Sequence, residues 1–344
     1  MPYQHTDYNI ETEFINCPLC NSNKNRLVLR NRDWLTDVDD CFNLVECLDC
    51  NLFYINPRPK EQELHKFYPD IYPAYTNHMY FNKNDIVNFS KIIFRISYWF
   101  RKFPLTKIIW KLFITKIKVC REVDLRVVKL NYDSKVLDIG CATGLFLSHI
   151  RWLTNCKMNG VEANDKSRGT ANQLLGSQVV FKDIAEVVES GGQKFDLITM
   201  WFVLEHLIEP LQVLRKSYDL LKQDGHLVMA VPNLDSWGRK IFKNKWFGFD
   251  VPRHLQIFNK DTLAALLEKS NFKIVKIRYA ISPHSFVGSI QLTFFGKRYC
   301  RFKGQYATGL QNSIFLRLLV WPFCFLSAVF RKSDTIVIYA KKTT

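Results

Sequence analysis

Short, nearly continuous apolar runs alternate with segments of helical spacing through the second half of the chain. KVLDIG (135–140), KMNGVEA (157–163), SQVVFKD (177–183), KFDLITMW (194–201) and DGHLVMAVP (224–232) are runs of the first kind. They are short and rich in Val, Ile and Leu, which predicts strands buried on both faces. Between them, LFLSHIRWL, SRGTANQLL and EPLQVLRKSYDLL repeat apolar residues every three or four positions, as one-sided helices do. Further on, KDTLAALLEKS reads as a helix, and FKIVKIRYA and DTIVIYAKK as strands. Strands spaced by helices predict an α/β fold with a mostly parallel sheet covered on both faces.

The first half is different in kind. Residues 57–80 are rich in tyrosine and proline; KEQELHKFY predicts a short helix and the rest a loop. Residues 91–118, KIIFRISYWFRKFPLTKIIWKLFITKIK, interleave Lys and Arg with Phe, Trp and Ile and contain no acid. They predict two basic amphipathic helices broken near Pro104. An apolar run at 313–330 is interrupted by Arg317 and Pro322. It falls short of the roughly 18 to 20 uncharged residues that a membrane-spanning helix needs.

Composition adds a globular class and a charge. The chain has 344 residues, 47% hydrophobic and 23% charged, which excludes a disordered polymer. Its net charge of +16 favours an acidic partner: nucleic acid, an anionic membrane or a phosphorylated substrate. The opening MPYQHTDYNIETEF lacks the layout of a signal peptide, and the cysteines are not spaced like a secreted disulfide framework. Together these predict a reducing, cytoplasmic setting.

Four of the cysteines form two C-x-x-C pairs, CPLC (Cys17, Cys20) and CLDC (Cys47, Cys50). Each pair can present two thiolates from one tight turn, and two such turns close a tetrahedron around Zn2+. Four thiolates leave no open position, so the expected role is structural, with the metal supplying much of the folding free energy of a small segment.

The chemistry-bearing stretch is VLDIGCATG. Asp138 ends a strand, and Gly140, Ala142 and Gly144 follow at alternate positions. A pyrophosphate site would want G-x-G-x-x-G at a helix start. An acid placed before the glycines suits a ligand with a positive end instead. S-adenosylmethionine is such a ligand, a sulfonium with a nucleoside attached. Glu162 ends the second strand, where it can accept from ribose hydroxyls. Asp183 follows the third, where it can accept from the adenine amino group, with Ile184 against the ring.

Residues 133–279 resemble the class I S-adenosylmethionine-dependent methyltransferases, on VLDIGCATGLF, GVEAN, FDLITMWFVLEHLIEP and LVMAVPN in that order. Ala142 departs from the commoner glycine. The resemblance implies a Rossmann-like seven-stranded sheet whose last strand, DTIVIYAKK, is antiparallel, with residues 280–333 inserted before it. A subset of the family also carries an N-terminal zinc-ribbon-like segment, an N-P-R-P stretch (INPRP here) and D-x-P-R-H (DVPRH here). That subset is associated with surface-glycan, sugar or secondary-metabolite pathways, an analogy only.

The expected organisation is therefore a zinc-ribbon-like segment (1–56), a loop with basic amphipathic helices (57–130), a methyltransferase core (131–279), an apolar insertion (280–333) and a final core strand (334–344). Two histidines are candidate bases for the acceptor's proton: His206, after the fourth strand, and His254, in DVPRH. Arg253 is a candidate for an acidic group on the acceptor, and Tyr72 for closing the pocket. The acceptor is expected to be a small molecule or glycan, with lipid-linked glycan and quinone among the alternatives. A catalytically inert binding module on the same fold is the reading from another class. The basic helices are expected to pack as a lid on the catalytic domain or, with the apolar segment, to make peripheral contact with an anionic membrane, in preference to nucleic acid, for which no known module is present.

Overall fold

In the computed structural model, residues 10–35, 41–68, 123–176, 179–191, 193–296, 300–302, 305–307 and 309–343 are described. The expected basic helices at 91–118, and Tyr72, lie outside them.

The strands in chain order are β1 (Thr12–Glu13), β2 (Asn25–Arg32), β3 (Cys41–Cys47), β4 (Phe53–Ile55), β5 (Arg58–Pro59), β6 (Lys135–Ile139), β7 (Lys157–Val161), β8 (Val180–Phe181), β9 (Phe195–Trp201), β10 (Leu221–Pro232), β11 (Gln256–Ile257), β12 (Phe272–Ala280), β13 (Cys300–Phe302), β14 (Gln305–Ala307) and β15 (Thr335–Lys342). Seven of them form one sheet in the order β12-β15-β10-β9-β6-β7-β8. β6 and β7 pair in parallel, as do β7 and β8, while β15 runs antiparallel to β12. This is the mixed seven-stranded sheet that the resemblance implied, with the strand 335–342 in the expected antiparallel place. Crossover helices follow the strands: Leu145–Thr154, Asp165–Leu175, Ile184–Glu189 and Pro210–Leu220.

The described chain gathers into two compact units. The first comprises 1–71, 200–219 and 229–344, and the second 72–199 and 220–228.

Within the second unit the β6 side chains Val136, Leu137 and Ile139 are buried, as are Val161 of β7 and Leu197 and Ile198 of β9. The continuous apolar runs thus sit where both sheet faces are covered. Within the first unit a four-stranded sheet has the order β11-β4-β3-β2. Its outer strand β11 comes from residues 256–257, and Gln256 pairs with Tyr54 and Ile257 with Phe53. The cysteine-bearing segment is thereby stitched to a stretch some two hundred residues later in the chain. Phe42, Leu44, Ile55, Phe67, Trp246 and Phe249 share one apolar core in this unit.

The apolar run at 313–330 is helical throughout Ile314–Val329, with Pro322 inside the helix. Neither Arg317 nor Pro322 ends it, although each interrupts its apolar character. No helix among the described residues is long and apolar enough to cross a membrane.

Candidate active site and metal centre

The glycine loop is built in the second unit. The backbone turns left-handed at Gly140 (φ 72°), Ala142 (φ 48°) and Gly144 (φ 78°). Three such residues at alternate positions fold the strand end back over itself and into the helix Leu145–Thr154. A Cβ on Gly144 would come within 3.2 Å of the Ala171 side chain, so the loop also lies close on the next helix. Ala142 takes a conformation that costs a residue with a Cβ roughly 1 to 2 kcal/mol. That cost explains why glycine is the commoner residue there.

Two buried carboxylates flank the loop. Asp138 is buried, and its Oδ1 accepts from the Thr199 hydroxyl at 2.6 Å. Glu162 is buried at the end of β7. Its Oε2 accepts from the Ala142 amide at 2.9 Å and its Oε1 from the Asn164 amide at 2.8 Å. Burial raises the Glu162 pKa, and the two amides counter that by favouring the ionised form. Glu162 therefore fixes the loop. Each Glu162 oxygen accepts one amide hydrogen bond and can accept a second. Asp183 caps the helix Ile184–Glu189, accepting through Oδ1 from the amides of Ala185 and Glu186. Ile184, next to it, is buried.

These features fit S-adenosylmethionine. The helix Leu145–Thr154 starts at Gly144 with no side-chain cap, leaving first-turn N–H groups for a carboxylate. The loop backbone is bare at its glycines, and Asp138, Glu162 and Asp183 are acceptors of the type that the expected ammonium, ribose and adenine contacts would need.

A second cluster lies in the first unit. The 3-10 turn Leu204–His206 follows β9. It is pinned by Gln256, whose Nε2 donates to the carbonyls of Leu204 (3.0 Å) and Leu207 (2.7 Å), and by the Leu255 amide, which donates to Glu205 O at 2.8 Å. His206 Nδ1 lies 3.0 Å from the Arg253 carbonyl and 3.0 Å from the Tyr68 hydroxyl. A carbonyl can only accept, so Nδ1 carries the hydrogen and Nε2 the lone pair. His254 Nδ1 likewise donates to the Gly248 carbonyl, at 2.8 Å. The two imidazoles meet edge to face with centroids 4.6 Å apart. Burial, and then the neighbouring His254, hold the His206 pKa well below its usual value, so its ring is neutral.

Glu205 completes this cluster. One ligand atom from each of Glu205, His206 and His254 lies within 4.8 Å of the others. The Glu205 carboxyl is buried and neither oxygen has a hydrogen-bond partner among the described residues. Burial, reinforced by Asp250, pushes its pKa up to about 8, so it is protonated at neutral pH. Just before the turn, Phe202 adopts φ 56°, a conformation unusual for a bulky residue.

Arg253 does not reach out to an acceptor. It is fully buried. Its two terminal nitrogens bond both Asp33 oxygens at 2.7 and 2.9 Å, and NH1 also donates to the Phe67 carbonyl at 3.0 Å. With Asp250 as a further partner, it is a strut joining the ribbon to DVPRH. The E-H pair in FVLEHL is the sequence trace of the Glu205 and His206 placement.

The four ribbon cysteines come together. Cys17 Sγ is 3.5 Å from Cys50 Sγ, Cys20 Sγ is 3.5 Å from Cys47 Sγ, and all four lie within 4.8 Å. A tetrahedron with Zn–S bonds of about 2.3 Å sets its sulfurs roughly 3.8 Å apart, so the donor set fits zinc. Both knuckles share one construction. The Asn21 amide returns to the Cys17 carbonyl and the Asn51 amide to that of Cys47, and both asparagines are left-handed. The asparagine directly after each C-x-x-C is the sequence trace of that turn. Cys41 is exposed and stands apart from the four.

Sheet order, glycine loop and strand-end carboxylates define the class: a Rossmann-like methyltransferase fold. Residues 115–277 match the family model described as a methyltransferase domain. A ubiquinone biosynthesis O-methyltransferase from Yersinia enterocolitica is 30% identical over 113 residues, 31% of this chain and 46% of that protein. One from a Ruegeria species is 28% identical over 151 residues, 41% of this chain and 61% of that protein. Among solved structures, an S-adenosylmethionine-dependent methyltransferase from Archaeoglobus fulgidus is similar at 22% identity and a TM-score of 0.41, over 68% of this chain and 99% of that one. Residues 115–277 are thus similar to methyltransferase domains, and a four-cysteine, zinc-ribbon-like segment precedes them. The chain spans about half the length of the first of these relatives.

Proposed function

We propose that the protein transfers a methyl group from S-adenosylmethionine to a hydroxyl of a small-molecule acceptor, with a glycan or lipid-linked glycan as the finer reading. The observation that carries the reading is the glycine loop stapled by Glu162 to the end of β7. The ubiquinone O-methyltransferase relatives support an oxygen nucleophile. The +16 charge and the zinc-ribbon subset support an acidic or glycan-bearing acceptor.

Bound at the loop, S-adenosylmethionine supplies an electrophilic methyl carbon on a leaving group that needs no protonation. The chain's own task is to align the acceptor, exclude water and take a proton. His206 is the proposed base. Its Nδ1–H is committed to the Arg253 carbonyl, and its neutral ring offers Nε2 to the acceptor hydroxyl. Tyr68 and the carbonyl fix the ring plane. Glu205, protonated, 3.9 Å from His254 Nε2 and without a hydrogen-bond partner among the described residues, is the donor for a second acceptor oxygen. His254 supports the His206 ring. Structural zinc in the ribbon belongs to the same proposal.

The test is methyl transfer from labelled cofactor to a panel of glycans, nucleotide sugars, quinones and lipids. Label in one class, lost in His206→Ala while cofactor binding persists, is the expected result. Cofactor that fails to bind the wild-type protein would overturn the reading.

A further inference from the structure

The helix Ile314–Val329 is built inside out. Its inward positions include Cys324 and Ser327, small and buried, with Phe323 packed on Phe286 and Trp237. Its outward positions are Ile314, Phe315, Leu318, Leu319, Phe325 and Val329, all exposed, with Phe315 at 73% and Leu318 at 66%. These offsets recur at helical spacing, so they form one continuous stripe along the helix. Phe294 and Phe295, at the end of the helix Pro283–Phe295, are exposed as well. A water-facing helix has the opposite layout, and an exposed apolar surface of this extent marks an interaction site.

Charge decides the partner. The helix contains no acid. Arg317 lies within it, and Arg331 and Lys332 follow its end directly. The whole chain carries +16. A symmetric pair of copies would bring these cations against their own equivalents, since the same patch faces itself across a two-fold axis. An anionic lipid surface attracts them and takes up the apolar stripe. At 16 residues the helix is too short to span a bilayer, but it suits lying in the interface with its stripe in the acyl boundary. We propose that the exposed face of Ile314–Val329 is a docking surface for an anionic membrane. The inference does not rest on the methyl-transfer reading.

The experiment is co-sedimentation of the full chain with vesicles of phosphatidylcholine alone, or phosphatidylcholine mixed with phosphatidylglycerol, at low and high salt. The wild type should pellet with the mixed vesicles, lose part of that binding in salt through its cations, and retain an apolar part. Phe315→Ser with Leu319→Ser should lower vesicle partitioning by tenfold or more. The cofactor-binding titration and the melting temperature serve as folding controls, because both side chains are exposed. Three results would overturn the proposal: wild type that stays in the supernatant, a double variant that pellets like wild type, or a solution dimer that the double variant dissolves without any vesicle binding.

Discussion

Ala142 and Glu205 show what single positions cost here. Ala142 sits at φ 48° with its amide donated to Glu162, and a glycine would keep that bond while removing the Cβ strain. Ala142→Gly should therefore stabilise the fold by about 1 kcal/mol, read from denaturant midpoints, with cofactor affinity equal or improved. Glu205 has the opposite signature. Its folded-state pKa is raised to about 8, so above the ordinary carboxyl range the unfolded chain ionises while the folded chain keeps its proton. The folded state then binds more protons, and this group's contribution to stability falls as pH rises from about 4.5 towards 8. Glu205→Gln should remove that fall. The variant should match the wild type near pH 4.5 and exceed it at pH 8, by an amount on the order of a few kcal/mol. Equal melting temperatures at pH 8 would count against the buried, protonated carboxyl. Residue types at the strand ends were legible in the sequence; their partners were not. Arg253 reads as a cation beside a histidine, and only the fold supplies Asp33, 220 residues away.

Most elements followed from periodicity, because a strand covered on both faces and a one-sided helix leave different spacings. The seven sheet strands and three of their four crossover helices had such traces; the short helix Ile184–Glu189 did not, and the cysteine knuckles were marked by their C-x-x-C spacing instead. β11 did not: it is two residues long, and its identity as a strand comes from pairing with β4. The continuous helix through Pro322 also escaped, since its hold on Phe286 and Trp237 is tertiary. The loop between β6 and the helix Leu145–Thr154 carries the sharpest test. Glu162→Ala frees the amides of Ala142 and Asn164 and removes the proposed ribose acceptor. Hydrogen bonds to a charged group are worth roughly 1.5 to 3 kcal/mol, so cofactor affinity should drop at least about tenfold. Glu162→Gln keeps one accepting oxygen and should fall between Ala and wild type. Calorimetric titration that finds all three alike would remove Glu162 from the cofactor site.

The ribbon and the His206 cluster belong to one compact unit, and the contacts between them are specific. Asp33, just after β2, holds Arg253, whose carbonyl orients His206. The Ile55 amide donates to the Leu255 carbonyl, and β11 extends the sheet that carries Cys47. The glycine loop with Asp138, Glu162 and Asp183 lies wholly in the other unit. On the proposed reading, the four-cysteine site is therefore coupled more closely to His206 than to the cofactor loop. Burial pushes the Cys17 thiol up to about 11, so without a metal it stays protonated, and zinc uptake must release protons. Purified protein should carry about one zinc per chain, the stoichiometry of a single four-thiolate site. Chelation should loosen β2, β3 and β4, release Asp33 from Arg253 and let the His206 ring turn. Methyl transfer should then fall by roughly 100-fold or more, the scale of losing a positioned base. Cofactor affinity should change little. Cys20→Ser should reproduce this split at fixed pH, and zinc should restore the chelated wild type but not the variant. Loss of cofactor binding in parallel with activity would show instead that the metal holds the whole chain together.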